Sequence, residues 1–331
     1  MAGASVAVLG GGSWATALVK ILNDNGTPVQ WFIRDAEIVK SIQTVGRNPR
    51  YLSSVEFDPS FNALHATPKD ALVASDTVII AVPAAFLQSS IEALPVDAWK
   101  NKNVVSAVKG MVPGKNMILG DFFNQVLNVP FESFGVISGP CHAEEVAMEK
   151  LSYLTLASQN PELADTLCKL LGTRYIKTTP SDDIYGTEYA AVMKNIYAIA
   201  SGICQGLGYG DNFQAVLVSN AIEEMEKFVK AVHPISRDIK DSAYLGDLLV
   251  TAYSKFSRNR TFGMMVGKGY GVKTSQLEMN MVAEGYYASA CVHEVNKTYH
   301  VPMPIAEAVY NILYNRYAPV MEIRLLSDKL S

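Results

Sequence analysis

The stretch Val6-Ala7-Val8-Leu9-Gly10-Gly11-Gly12-Ser13-Trp14-Ala15-Thr16-Ala17-Leu18 decides the fold. Four apolar residues run straight into three glycines, and the chain from Trp14 onward has helical spacing. Strand, tight turn and helix N-terminus in that order form the context of a dinucleotide-binding fingerprint. Gly10 permits the turn, and Gly12 lets the backbone approach a pyrophosphate with no Cβ in the way. Ala15 takes the third position of the G-x-G-x-x-A pattern, where a small residue allows close contact between helix and strand. The first amides of the helix, together with its dipole, attract the anion. Taken alone, the pattern also suits a glycine-rich turn without a ligand, so its weight depends on its surroundings.

Those surroundings repeat the alternation. Apolar, β-rich runs recur at residues 29–33, 77–82, 103–108, 134–137, 153–157 and 174–177, with helical patterns at 14–25, 116–128 and 161–171 between them. Continuous apolar strands separated by helices indicate a parallel sheet covered on both faces. From about Pro180 the strand-like runs end and long helical patterns continue to the C-terminus. Pro180-Ser181-Asp182 reads as a stop followed by a helix N-cap, which places a domain boundary there. The expected fold is α/β, a Rossmann-type doubly wound sheet over 1–180 followed by an all-helical domain over 181–331.

A chain of 331 residues with 49% hydrophobic and 18% charged residues has material for two cores. A net charge of -4 argues against nucleic acid or an anionic membrane as the main partner. The four cysteines form no C-x-x-C pair and the five histidines lack metal spacing, so no metal site is expected. Scattered thiols and the absence of a leader pattern point to a cytoplasmic protein. The apolar stretch 189–210 contains Lys194, Asn195 and Gln205 and reads as a helix buried in protein, not one spanning a membrane.

The end of the second strand usually selects the nicotinamide cofactor. An acid there holds the ribose hydroxyls of NAD, whereas a cation accommodates the extra phosphate of NADP. Here Arg34 and Asp35 stand side by side, so NAD(H) and NADP(H) both remain open. Lys109 ends the run Ser106-Ala107-Val108-Lys109-Gly110 and places a cation at the ligand edge of the sheet.

In the second half, Lys194 is the only charged residue between Glu188 and Asp211, on a helix apolar on nearly all sides. Such a lysine either finds a partner, shifts its pKa towards neutrality, or runs its stem through the core to reach water. Asp247 stands near a helix start with Thr251 one turn on, which fits a cap as well as a functional carboxylate. Ser257-Arg258-Asn259-Arg260 groups two cations and an amide, either an anion clamp or a solvated helix end.

Together these motifs resemble the NAD(P)-dependent glycerol-3-phosphate dehydrogenases of the bacterial biosynthetic type, over essentially the whole chain. The matching segments are Gly10–Leu18, Asp76–Pro83, Val108-Lys109-Gly110 and Ser138-Gly139-Pro140-Cys141-His142-Ala143-Glu144-Glu145. Lys194-Asn195, Gly246-Asp247-Leu248, Ser257-Arg258-Asn259-Arg260 and Glu284-Gly285 follow. The resemblance implies that Ser13, Trp14, Arg34, Lys109 and Ala143 contact the cofactor, joined by Arg258, Val282 and Glu284 from the second domain. It makes Lys194 the general acid/base, tuned by Asp247, with Lys109 adding positive potential at the same oxygen. It places Lys109, Gly139, Cys141, Lys194, Asp247, Ser257, Arg258 and Asn259 around the substrate, with Asn195 and Thr251 near the reacting carbonyl. The implied reaction interconverts dihydroxyacetone phosphate and sn-glycerol 3-phosphate, supplying phospholipid synthesis, in a homodimer. Some positions depart from the family pattern. Cys141 replaces a serine, Ala15 a glycine, and Tyr51-Leu52-Ser53-Ser54 lacks the usual proline-glycine, so no cofactor role carries over to that segment. The alternatives are a β-hydroxy acid or ketopantoate dehydrogenase on the same plan, or a dinucleotide sensor without catalysis.

Overall fold

The computed structural model describes residues 5–279 and 283–331. The chain divides into two compact units, residues 1–108 with 119–184, and residues 109–118 with 185–331. The short segment 109–118 therefore belongs with the helices, although it lies within the sheet-forming half of the sequence.

The first unit is a sheet of β1 (Val6–Leu9), β2 (Val29–Phe32), β3 (Ala63–His65), β4 (Thr77–Ile80), β5 (Asn103–Ser106), β6 (Phe134–Ser138), β7 (Ser152–Ala157) and β8 (Ile176–Ser181). Its helices are α1 (Ser13–Asp24), α2 (Ala36–Val45), α3 (Pro68–Val73), α4 (Ala84–Ile91), α5 (Leu119–Leu127), α6 (Ala143–Ala147) and α7 (Pro161–Leu171). The strand order is β3-β2-β1-β4-β5-β6-β7-β8, so the chain reverses direction across the sheet between β1 and β4. That switch point opens a crevice at the carboxyl end of β1, where the glycine loop begins. All residues of β1 and β4 are buried, which explains why those strands read as unbroken apolar runs.

Three details differ from the sequence reading. The strand β3 carries no apolar run, because at three partly exposed residues it is held by its pairing with β2. The sheet is not wholly parallel: β7 pairs antiparallel with β6, and β8 runs parallel to β7. The connection from β6 to β7 holds only the five-residue helix α6, about 8 Å long, too short to return along the sheet. Pro180 and Ser181 do not stop the sheet ahead of a helix cap. They pair with Leu156 and Ala157 as the end of β8, and the next helix begins at Ile184. Since β8 is the sheet edge, the missing proline N–H removes no ladder bond.

The second unit contains α8 (Ile184–Gly206), α9 (Asp211–Val232), α10 (Asp247–Tyr253), α11 (Arg258–Gly267), α12 (Val272–Glu278), α13 (Glu284–Tyr299), α14 (Pro304–Leu313) and α15 (Pro319–Ser327). Its core forms around α8, whose Met193, Ile196, Ile199, Ala200 and Ile203 are fully buried. Gly202 and Gly206 of α8 face Gly263 and Gly267 of α11 so closely that a Cβ on Gly202 would lie 2.1 Å from the Arg260 carbonyl oxygen. A Cβ on Gly263 would meet the Ile199 carbonyl oxygen at the same 2.1 Å. Four glycines thus bring two backbones together and set the N-terminus of α11 beside the middle of α8.

Candidate active site

In the sheet domain the site is built from backbone. Gly10 has a φ of +139, and a Cβ there would lie 2.5 Å from the Ala81 carbonyl oxygen, so both conformation and space require glycine. Its amide donates to Phe32 O at 3.0 Å and its carbonyl accepts from Trp31 Nε1 at 2.7 Å, tying the loop to β2. Gly12 is different. Its φ of -79 is ordinary, and a Cβ would meet nothing within 4 Å. The open space before Gly12, at the head of the twelve-residue α1, fits a pyrophosphate against helix amides. Ser13 and Ala15 are buried, as is Ala143, the first residue of α6. Gly139 and Cys141 follow β6 in this same domain, Gly139 with a φ of +113 and its Cβ position only 2.6 Å from Tyr153 O.

A residue that sequence reasoning missed fixes this loop. Asn48 is fully buried, and its Nδ2 donates to Gly11 O at 3.1 Å and to Thr16 Oγ1 at 2.9 Å. Its Oδ1 accepts the amides of Arg50 and Tyr51, both at 3.1 Å. Thr16 Oγ1 in turn donates to Gly12 O at 2.9 Å. An asparagine in a polar stretch carries no sequence signal for such a role. Arg34 is exposed, its guanidinium 5.9 Å from the centre of the Phe86 ring. Asp35 caps α2, accepting from the amides of Glu37 and Ile38.

The helical domain carries a cluster built from side chains. Asp247 opens α10 and is 1% exposed, yet its carboxylate caps nothing. One oxygen accepts a hydrogen bond from the Lys194 ammonium, and the other lies 3.3 Å from Lys109 Nζ. One carboxylate thus bridges two lysines. Burial drives Lys194 down, and Lys109 adds to the fall while Asp247 opposes it, leaving a pKa of about 7. For Asp247, burial acts upward but the two lysines outweigh it, so the carboxyl lies below its usual value. A lysine near neutrality in a water-poor site can both donate and accept a proton.

Amide side chains extend the cluster. Asn195 Nδ2 donates to the Lys109 carbonyl at 2.7 Å, and Asn259 Nδ2 donates to Asn195 Oδ1 at 2.9 Å. Asn259 Oδ1 then accepts the Gly285 amide at 2.9 Å. The glycine contacts between α8 and α11 make this chain possible, because they place Asn259 one helix-width from Asn195. Gly285 is equally constrained, since a Cβ there would lie 2.5 Å from Asn195 O. Thr251 Oγ1 donates to Asp247 O at 2.6 Å, and Ser257 caps α11 by accepting from the Arg260 amide. Arg258 and Glu284 are half-buried at the first positions of α11 and α13. Val282 lies outside the described residues. Lys109, Lys194, Asn195, Asp247, Thr251 and Asn259 are therefore gathered by direct contact within the helical domain, while Gly10 to Ala15, Arg34, Gly139, Cys141 and Ala143 belong to the sheet domain.

Residues 5–164 match the N-terminal domain of NAD-dependent glycerol-3-phosphate dehydrogenases, and residues 183–324 match their C-terminal domain. The chain belongs to this family. A glycerol-3-phosphate dehydrogenase [NAD(P)+] from an Exiguobacterium species is 33% identical over 324 residues, covering 98% of this chain and 95% of the relative. One from Staphylococcus carnosus is 31% identical over 325 residues, covering 98% of each. The crystal structure of the Coxiella burnetii glycerol-3-phosphate dehydrogenase superposes with a TM-score of 0.89 at 29% identity, covering 98% of both chains. Membership makes the protein an oxidoreductase that uses a nicotinamide dinucleotide, which sets aside the reading as a dinucleotide sensor without catalysis.

Proposed function

We propose that Lys194 is the proton donor and acceptor in the interconversion of dihydroxyacetone phosphate and sn-glycerol 3-phosphate. The observation that supports this is the buried pair of Lys194 and Asp247, with the partly exposed Lys109 on the same carboxylate and Lys194 held near neutrality. The residues from Gly10 to Ala15 fit a dinucleotide pyrophosphate, with Arg34 and Ala143 as further contacts in the sheet domain. Arg258 and Glu284 serve as contacts from the helical domain, and Lys109 serves cofactor and substrate alike. The nicotinamide, when bound, supplies a hydride to C2 of the substrate.

The chain's own residues do the rest. As charge grows on the C2 oxygen, the Lys194 ammonium stabilises it and passes its proton to it. Asp247 keeps enough of Lys194 protonated for that step, and Lys109 adds positive potential. Arg258 and the remaining amide hydrogen of Asn259 hold the substrate phosphate, which fixes C2 in position. Ser257, Gly139 and Cys141 shape the pocket, while Asn195 and Thr251 lie beside the reacting carbonyl. In the oxidising direction neutral Lys194 accepts the hydroxyl proton.

The division of labour gives the cofactor chiefly to the sheet domain, and substrate and proton transfer chiefly to the helical domain with its segment 109–118. The same reading makes the protein a homodimer in the cytoplasm, supplying glycerol 3-phosphate for phospholipid synthesis. No helix among the described residues is long and apolar enough to cross a membrane.

The test is to follow NADH and NADPH oxidation with dihydroxyacetone phosphate and, separately, with ketopantoate and other oxo acids. Turnover of the triose phosphate is expected. Turnover of an oxo acid alone would overturn the substrate assignment. Light scattering should give twice the chain mass of 36.0 kDa, and a monomer would refute the dimer.

A further inference from the structure

We infer that the segment 109–118 is a strap by which the helical domain itself holds Lys109 against Asp247, with Met111 and Ile118 as its positioning residues. The inference deepens the proton-transfer reading of Lys194, on which its activity test rests.

A lysine ends a flexible four-carbon stem, so its ammonium stays beside one carboxylate only if the backbone is fixed. Lys109 needs such fixing. Its side chain is 20% exposed and its Nζ lies 3.3 Å from Asp247 Oδ2, where water competes for it. The strap first closes on itself. Pro113-Gly114 makes a tight turn, in which the Lys115 amide donates to Val112 O at 3.3 Å and Gly114 takes a φ of +76. The Asn116 amide donates to the same oxygen at 3.0 Å, and the Val112 amide donates to Met117 O at 2.9 Å. On either side of this small hairpin, Met111 and Ile118 are buried in the hydrophobic core formed around α8.

A polar tie completes the attachment. Asn195, the residue after Lys194 on α8, donates from Nδ2 to the Lys109 carbonyl at 2.7 Å. Consecutive residues of one helix thus hold the two lysines together, since Lys194 grips the shared carboxylate and Asn195 grips the backbone of Lys109. Met111 stands two residues beyond that bond, so its burial keeps the Lys109 carbonyl within reach.

The strap has a chemical consequence. Lys109 lowers the proton affinity of Lys194, by repulsion and by sharing Asp247. Release of Lys109 to water would leave Asp247 to Lys194 alone, which would then hold its proton to a higher pH. Met111 sets the pH range of the reaction through Lys109, as a positioning residue and not a catalytic one.

The test uses the full-length protein and two readouts. The first is acylation of Lys109 by acetic anhydride, followed by mass spectrometry without turnover. Met111→Ala should raise the Lys109 rate about fivefold, because local opening exposes the amine, while the exposed Lys40 reacts as in wild type. The second is the pH profile of triose phosphate reduction, whose falling limb should move up by about half a pH unit in Met111→Ala. Met111→Leu, which restores most of the volume, should return both readouts to wild type. Ile312→Ala, which empties another part of the same core, should lower the melting temperature and move neither readout. Gly114→Val strains only the exposed turn, and it should move both readouts as Met111→Ala does even where the latter fails to fold. Wild-type labelling of Lys109 in Gly114→Val or a folded Met111→Ala, or an equal rise in Ile312→Ala, would overturn the strap. Faster labelling with an unmoved profile would overturn its effect on Lys194. A wild-type reduction rate flat with pH would instead bring down Lys194 as the proton donor, and the labelling alone would decide for or against the strap.

Discussion

In the sheet domain the candidate site consists of backbone amides placed by a few consecutive residues, whereas in the helical domain it consists of side chains drawn from distant parts of the chain. Gly10, Gly12 and the head of α1 need only each other and the neighbouring strands. Lys194 reaches an aspartate 53 residues away, and Lys109 reaches the same aspartate across 138. On the proposed reading the backbone site would hold its anion with the partial charges of amides at the head of α1, which have no acceptor within the helix. The side-chain site brings a carboxylate and two lysines together largely away from water, which is costly unless they compensate one another. The first arrangement suits binding, and the second suits a reaction in which a charge appears and vanishes.

Mutations should break this contrast in order of severity. Lys194→Ala should lower kcat for triose phosphate reduction by about 10²–10⁴-fold, the usual contribution of a positioned general acid. Its affinity for the dinucleotide should stay near wild type, so a parallel loss of nucleotide binding would dissolve the proposed separation of roles. Asp247→Asn removes the counter-charge that Lys194 and Lys109 share, and urea unfolding should show a loss of about 3–5 kcal/mol. The same change removes the influence that raises Lys194, so the pH profile of glycerol 3-phosphate oxidation should move to lower pH. An unmoved profile would mean that Asp247 does not tune Lys194.

Glycine substitutions probe the other side. Gly10→Ala combines a disfavoured φ with a clash at Ala81 O and should cost about 3 kcal/mol of stability. Gly12→Ala should leave the melting temperature nearly unchanged while weakening nucleotide binding, because its Cβ enters only the open space proposed for the pyrophosphate. Equal effects from both glycines would erase the distinction between a structural and a binding position. The mildest perturbation is pH alone. Lys194, at about 7, is protonated below that pH and neutral above it. Reduction should therefore fall, by about tenfold per unit once above neutrality, and oxidation should rise over the same range. A reduction rate flat from pH 6 to pH 9 would exclude Lys194 as the proton donor.

What the amino-acid sequence determined by itself was whatever local order can carry. The turn at Gly10, the helix start after Gly12 and the apolar strands β1, β2 and β4 to β7 follow from neighbouring residues and short periods. The isolated lysine on an apolar helix was equally visible, because a single charge in a hydrophobic run must be accounted for. The edge strand β8 was misplaced and β3 missed, since pairing with a neighbour, not side-chain pattern, holds both. The tertiary structure alone decided which carboxylate meets Lys194, that Asp247 caps no helix, and that Asn48 locks the glycine loop. It also decided that Lys109, on the segment 109–118, belongs with the helices. Each of these depends on the meeting of groups far apart in the chain, and their energies come from burial and charge compensation, which no local pattern records.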